Sequence, residues 1–164
     1  MSAVAVFTGD VEGDVLFQDN GKGDCKVTAK FTKLPPGLHG FHIHKAGDLR
    51  GEGCKGACDH YHVGPPATHG GPPSASSVSP ATPRHTGDLG NISSAPFTRR
   101  YKLESVTVAD LYGRSVIVHE DEDDLGKGSF EDSATTGHSG SRIACAIIGR
   151  VSDVPCSKTR KKHA

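Results

Sequence analysis

Tryptophan is absent from the 164 residues, and so is any apolar run approaching the ~20 residues of a membrane-spanning helix. That excludes a helical span. Net charge is missing too: 19 Lys plus Arg balance 19 Asp plus Glu, which removes any global electrostatic case for nucleic acid or a membrane surface. The N-terminus "MSAVAVFTGD" lacks both the basic start and the long apolar stretch of a secretory signal. The chain therefore reads as intracellular and cytoplasmic. No long amphipathic helix and no internal repeat stands out.

What is present points to strands and turns. Glycine (21) and proline (10) are plentiful, and apolar residues recur in short alternating segments. The candidate strands are "SAVAVFTG", "DVLFQD", "CKVTAKFTKL", "GFHIH", "KLESVTVADL", "SVIVHE" and "SRIACAIIG". Seven or eight short strands joined by polar loops imply an antiparallel sandwich or barrel, in a chain of one-domain size. Residues 47–91 and 120–141 break the rhythm as two loops far beyond the usual connection length. Within the first, "PPSASSVSPATP" (72–83) reads as a flexible surface insert. The basic C-terminal segment 156–164, with "SKTRKKHA", is a solvated terminus or an anion contact.

Seven of the ten histidines fall between positions 39 and 85. His42 and His44 in "GFHIH" are two residues apart, so on a strand their imidazoles share one face. They are either polar histidines on a wet sheet face or converging metal ligands. His119 ends the alternating run "SVIVHE" and adds a third ring of this kind. An imidazole-rich set suits copper, which tops the affinity order of divalent first-row metals. In the long loop, His60, His69, His85 and Asp88 offer three nitrogens and a carboxylate oxygen, a closed tetrahedral set suited to zinc.

Taken in order, "GLHGFHIH", "HGGP", "RHTGDLGNI", "VIVHE", "DDLGKG" and "TGHSGSRIACAIIG" resemble the copper-zinc superoxide dismutases of the intracellular type, over most of the chain. The resemblance implies an eight-stranded antiparallel Greek-key β-barrel or sandwich, immunoglobulin-like, spanning 1–155, with two long functional loops. It implies one copper and one zinc ion per subunit and conversion of superoxide to oxygen and hydrogen peroxide. Copper would be held by His42, His44, His60 and His119, and zinc by His60, His69, His85 and Asp88. His60 then serves both, although His62 in "CDHYHVGPPATHGGP" competes for that place. Asp123 resembles the carboxylate that links His42 to His69, a kind of contact that fixes imidazole tautomers. Arg142 resembles the arginine that attracts the anion, with Thr136 beside it. Cys54 and Cys145, 91 residues apart, match the family's disulfide; five reduced thiols are the alternative. Cys25, Cys58 and Cys156 lie outside that pattern, and Cys58 offers a competing thiol.

Two departures from the family carry consequences. Asp121 and Thr135 stand where its members commonly carry steering lysines, which implies a slower enzyme with weaker salt dependence. Ala46 replaces an aromatic and Arg150 an apolar residue at the family's dimer face, leaving Ile147 and Ile148 to support a homodimer. The expected partners are superoxide, a second subunit and a copper-loading chaperone, with neither nucleic acid nor membrane.

Overall fold

A computed structural model describes residues 1–72 and 84–152. Cys156, the C-terminal basic segment and nearly all of the 72–83 insert lie outside the described residues. β1 (Ser2–Phe7), β2 (Glu12–Asp19) and β3 (Cys25–Lys33) form successive antiparallel hairpins. Their alternation is of the half-buried kind: Val15 and Phe17, Val27, Ala29 and Phe31 face inward, while Lys26 and Lys30 face water. β4 (Leu38–His44) begins the second sheet, β5 (Asp88–Ser93) and β6 (Phe97–Leu103) follow the first long loop, and β7 (Ser115–His119), β8 (Arg142–Ile147) and the two-residue β9 (Gly149–Arg150) complete the set. One sheet has the order β6-β3-β2-β1-β9 and the other β5-β4-β7-β8. The chain is mostly β and antiparallel, the sandwich expected.

Between the sheets, Phe31 packs against Phe7 and Phe41 at centroid distances of 5.5 and 5.7 Å, the second pair edge to face. The two central strands of the second sheet are buried on both sides. All five residues of β7 are buried, as are six of the seven in β4, because the described parts of the first loop and the loop 120–141 cover their outer face. One face of β4 gives Phe41 and Ile43 to the core; the other carries His42 and His44.

Three sequence expectations need correction. "KLESVTVADL" is not a strand: β6 ends at Leu103, Ser105 turns with φ 56°, and α1 (Val108–Leu111) follows. The cause is a capping box, in which the Thr107 amide and hydroxyl donate to Asp110 Oδ2 at 2.8 and 2.7 Å. β5 and most of β6 were absent from the candidate strands, since Gly90 at φ 74° and the run "TRRYK" obscure the period. The first loop is correspondingly shorter than 47–91, because 88–91 belong to β5, and a 3-10 helix occupies Glu52–Ala57. The second loop contains one helical turn, α2 (Ser133–Thr136).

Candidate metal centre

β4 and β7 pair with His42 opposite Ile117 and Phe41 opposite Val118, so His119 arrives beside His42 with ring centroids 4.9 Å apart. His60 comes from the loop and is fixed by backbone contacts: it bridges to His44, and the Tyr61 amide donates to the Ile43 carbonyl at 2.8 Å. Its ring lies 4.1 Å from that of His42 and 4.9 Å from that of His44. The candidate ligand atoms of His42, His44, His60 and His119 all lie within 4.8 Å of one another. The same limit holds for His60, His69, His85 and Asp88, and for His42, His69 and Asp123. His60 belongs to both four-residue groups. His62 belongs to neither, its Nε2 donating to the Pro65 carbonyl at 2.6 Å and its Nδ1 accepting from the Thr86 amide at 3.3 Å.

The tautomers are set by neighbours. His44 Nδ1 donates to the Cys58 carbonyl at 2.7 Å and His119 Nδ1 to the Gly140 carbonyl at 3.2 Å, which leaves each Nε2 with a lone pair turned inward. His42 Nε2 and His69 Nε2 donate to the two oxygens of Asp123 at 2.8 and 2.7 Å. Buried His42 Nδ1, His44 Nε2 and His119 Nε2 have no protein hydrogen-bond partner. Buried polar atoms seldom go unpaired, so three of them aimed at one point fit a cation. His60 Nδ1 faces Asp88 Oδ1 at 2.8 Å, and His69 and His85 present Nδ1 to the same carboxylate at 3.1 and 3.2 Å. That leaves His60 Nε2 for the other group. Gly137 sits against this network at φ 70°, where a side chain would strike Asp123 and His69.

Burial pushes His42 and His44 well below the ordinary imidazole range, and the charge of His60 adds to this. His119 is pushed down to about 4, again mainly by burial. These three rings are therefore neutral at ordinary pH, the form that ligates metal. Burial also pulls His69 down, but hydrogen bonds to Asp123 and Asp88 outweigh it and lift the ring to about 9. For Asp88, burial works against ionisation while three imidazoles hold the carboxyl far below its usual range.

A cavity of about 780 Å³ opens over His44, His60 and His119, with Thr135, Thr136 and Arg142 in its wall. Arg142 Nη1 and Nη2 donate to the carbonyls of Cys54 and Cys58, both at 2.7 Å. Cys54 is joined to Cys145 of β8, so the disulfide ties the loop segment that holds the guanidinium to the sheet. Burial lowers the Arg142 pKa, yet a guanidinium stays protonated. Lys45, Asp59 and Asp132 also line the cavity. Asp121 is outside that lining and packs against Gly140.

Sequence reasoning missed the two acidic wall residues and the Cys58 and Gly140 carbonyls, for backbone acceptors leave no signal in residue types. It also missed Asn91, whose amide donates to the Asp123 carbonyl at 2.8 Å and accepts from its N–H at 2.7 Å. The "GDLGNI" motif was the available cue.

The family model for copper/zinc superoxide dismutase matches residues 11–148. The copper chaperone for superoxide dismutase of Rattus norvegicus is 41% identical over 154 residues, covering 91% of this chain and 53% of the chaperone. The chain thus spans about half of that relative's length. A putative superoxide dismutase [Cu-Zn] of Autographa californica nuclear polyhedrosis virus is 39% identical over 156 residues, covering 90% of this chain and 97% of the viral protein. Among solved structures, the clock protein EA4 is similar at a TM-score of 0.75 and 33% identity, over 90% of this chain and 93% of that one.

Proposed function

This chain belongs to the copper/zinc superoxide dismutase family, and on that footing we propose that it converts two superoxide anions and two protons into oxygen and hydrogen peroxide. One observation carries the reading: four buried imidazoles, three of them with an unpaired nitrogen, converge beneath a cavity that also holds Arg142. Copper held by His42, His44, His60 and His119 supplies a one-electron couple, while zinc on His60, His69, His85 and Asp88 adds fixed positive charge.

The protein's own part is positional and electrostatic. Arg142, held by two carbonyls, presents charge and donors to an incoming anion. Asp88 fixes His60 Nδ1, and His60 Nε2 would hold a proton for the departing peroxide only while that nitrogen is not bound to copper. Asp123 keeps both linked rings as Nε2–H donors. The cavity wall carries two cations and two carboxylates, so its formal charges cancel. Steering contributes about one to three orders of magnitude to association in general, and its loss makes this a slow enzyme with weak salt dependence. A steep fall of rate with ionic strength is the opposing result.

The chain forms a homodimer in this reading, through the exposed Ile147; Ile148, expected beside it at the interface, is instead buried in the subunit's own core, because alternation along the chain turns it inward. Arg150, beside the Tyr112 ring at 5.4 Å, takes an apolar place. A second reading follows from the rat relative: a copper-delivery module that keeps the sandwich without turnover. Metal content and superoxide dismutation, measured for the wild type and His119→Ala, separate the two. Turnover lost together with copper in the variant supports the enzyme; a wild type that binds copper without turnover supports delivery.

A further inference from the structure

The second loop contains an arrangement that the metal ligands do not explain. Phe130, just before α2, and His138, just after it, stack ring on ring with centroids 3.7 Å apart and planes 8° from parallel. His138 Nδ1 donates to Asp132 Oδ1 at 2.6 Å. The other oxygen of that carboxylate accepts the Thr136 hydroxyl at 2.9 Å. Asp132 also ends its backbone here, its carbonyl accepting the amides of Thr135 and Thr136 at 3.0 and 2.8 Å. An aspartate before a helix ordinarily caps it with its side chain, but this one makes no such bond, because its oxygens are already engaged.

We propose that Phe130, His138 and Asp132 form a clamp that positions Thr135 and Thr136 in the cavity wall, making them positioning residues for anion admission in the dismutase reading on which this inference rests. Geometry gives each a separate job. The stack draws together the two ends of the loop around α2, a turn too short to hold itself. Phe130 is 57% exposed, a large apolar side chain in water whose ring is covered on one face by the imidazole. The His138 donor turns the carboxylate, and the one hydrogen of the Thr136 hydroxyl is engaged by Asp132, by its carboxylate at 2.9 Å and its carbonyl at 3.2 Å. Thr136 therefore meets an anion with its methyl group and lone pairs, as a wall beside Arg142. The same two donors hold the Asp132 carboxyl below its usual range, His138 foremost. Freed from them, Asp132 becomes an uncompensated negative charge in the wall.

The test uses the copper- and zinc-loaded protein with azide as the probe, titrated by its charge-transfer absorption. Phe130→Ser removes the stack, His138→Phe keeps a stack without the donor, and His138→Asn keeps a donor without the ring. Losing one such hydrogen bond predicts azide affinity about three- to tenfold weaker in His138→Phe, with partial rescue in His138→Asn. Amide exchange at Thr135 and Thr136 should quicken in Phe130→Ser and His138→Phe, with metal content unchanged. Faster exchange at wild-type azide affinity would reduce the clamp to scaffolding and overturn the proposal, as would no change in either measurement. If the wild-type protein takes up copper yet binds no azide, the dismutase reading fails by itself. The exchange arm then still decides the clamp, unchanged exchange refuting it.

Discussion

Replacing Asp123 by alanine separates what the sheet holds from what the loop holds. The Asp123 side chain is fully buried and accepts from His42 Nε2 at 2.8 Å, His69 Nε2 at 2.7 Å and the Leu125 amide at 2.8 Å. Its removal deprives both rings of the acceptor that fixes them as Nε2–H tautomers. The consequences are unequal. His42 sits on β4 between β5 and β7, opposite Asp88 and Ile117, so the ladder keeps its ring near position without the carboxylate. His69 lies outside any strand, its ring suspended between Asp88 at 3.1 Å and Asp123 at 2.7 Å. Loss of a partner that orients a ligand costs about 10- to 100-fold in metal affinity, roughly 1.4 to 2.7 kcal/mol. That full loss is expected for zinc at His60, His69, His85 and Asp88, and less than about tenfold for copper on the strand histidines. Chelator competition with each ion in turn, on the wild type and Asp123→Ala, measures both. Equal losses for the two ions, or none for zinc, would refute the claim that the ladder rather than the carboxylate positions His42.

Three further outcomes follow from single contacts. Arg142→Lys replaces a fork that reaches two carbonyls with one ammonium, so superoxide association should fall by about tenfold; a wild-type rate in pulse radiolysis would show that charge alone suffices. Cys145→Ser opens a loop of sequence separation 91, and denaturant unfolding should register a loss of about 4 to 5 kcal/mol on the chain-entropy estimate. Cys25 is buried, which pushes its thiol up to about 11, whereas Cys58 is exposed. Brief alkylation of the native protein followed by peptide mapping should label Cys58 and spare Cys25; the reverse order would contradict the burial.

The sheet was legible wherever one face meets water. β3 alternates because lysines and threonines face solvent, β1 because Ala3, Ala5 and Phe7 turn inward, and "GFHIH" showed its imidazoles because strand spacing places i and i+2 together. The misread stretch 102–111 alternates just as well. Its fate was decided by Thr107 and Asp110, whose hydrogen bonds form a helix start that a count of apolar residues ignores. The ligand groups were visible as residue types, but the choice of His60 over His62 was not. It depends on the bridge between residues 44 and 60, which turns one ring inward and leaves the other on Pro65. Asp121 was placed by counting along the motif, whereas Asp59 and Asp132 reach the cavity through loop geometry that no motif encodes.

The distribution of ligands between rigid and loose elements also determines how metal and fold are coupled. β4 and β7 supply three imidazoles whose unpaired nitrogens are buried, and each such orphan costs about 1 to 3 kcal/mol. A cation satisfies all three at once, so part of its binding free energy is folding free energy. His60 and His69 come from the loop, whose anchors are the Cys54–Cys145 bond, the bridge to His44 and the carboxylates of Asp88 and Asp123. The group His60, His69, His85 and Asp88 lies at the junction of that loop with β5, and no residue of β4 or β7 belongs to it. Opening the loop therefore dismantles that group and removes one of the four proposed copper ligands, while the sheet and its three histidines stay in place. Metal release should accordingly follow loop opening, at a free energy below that of global unfolding.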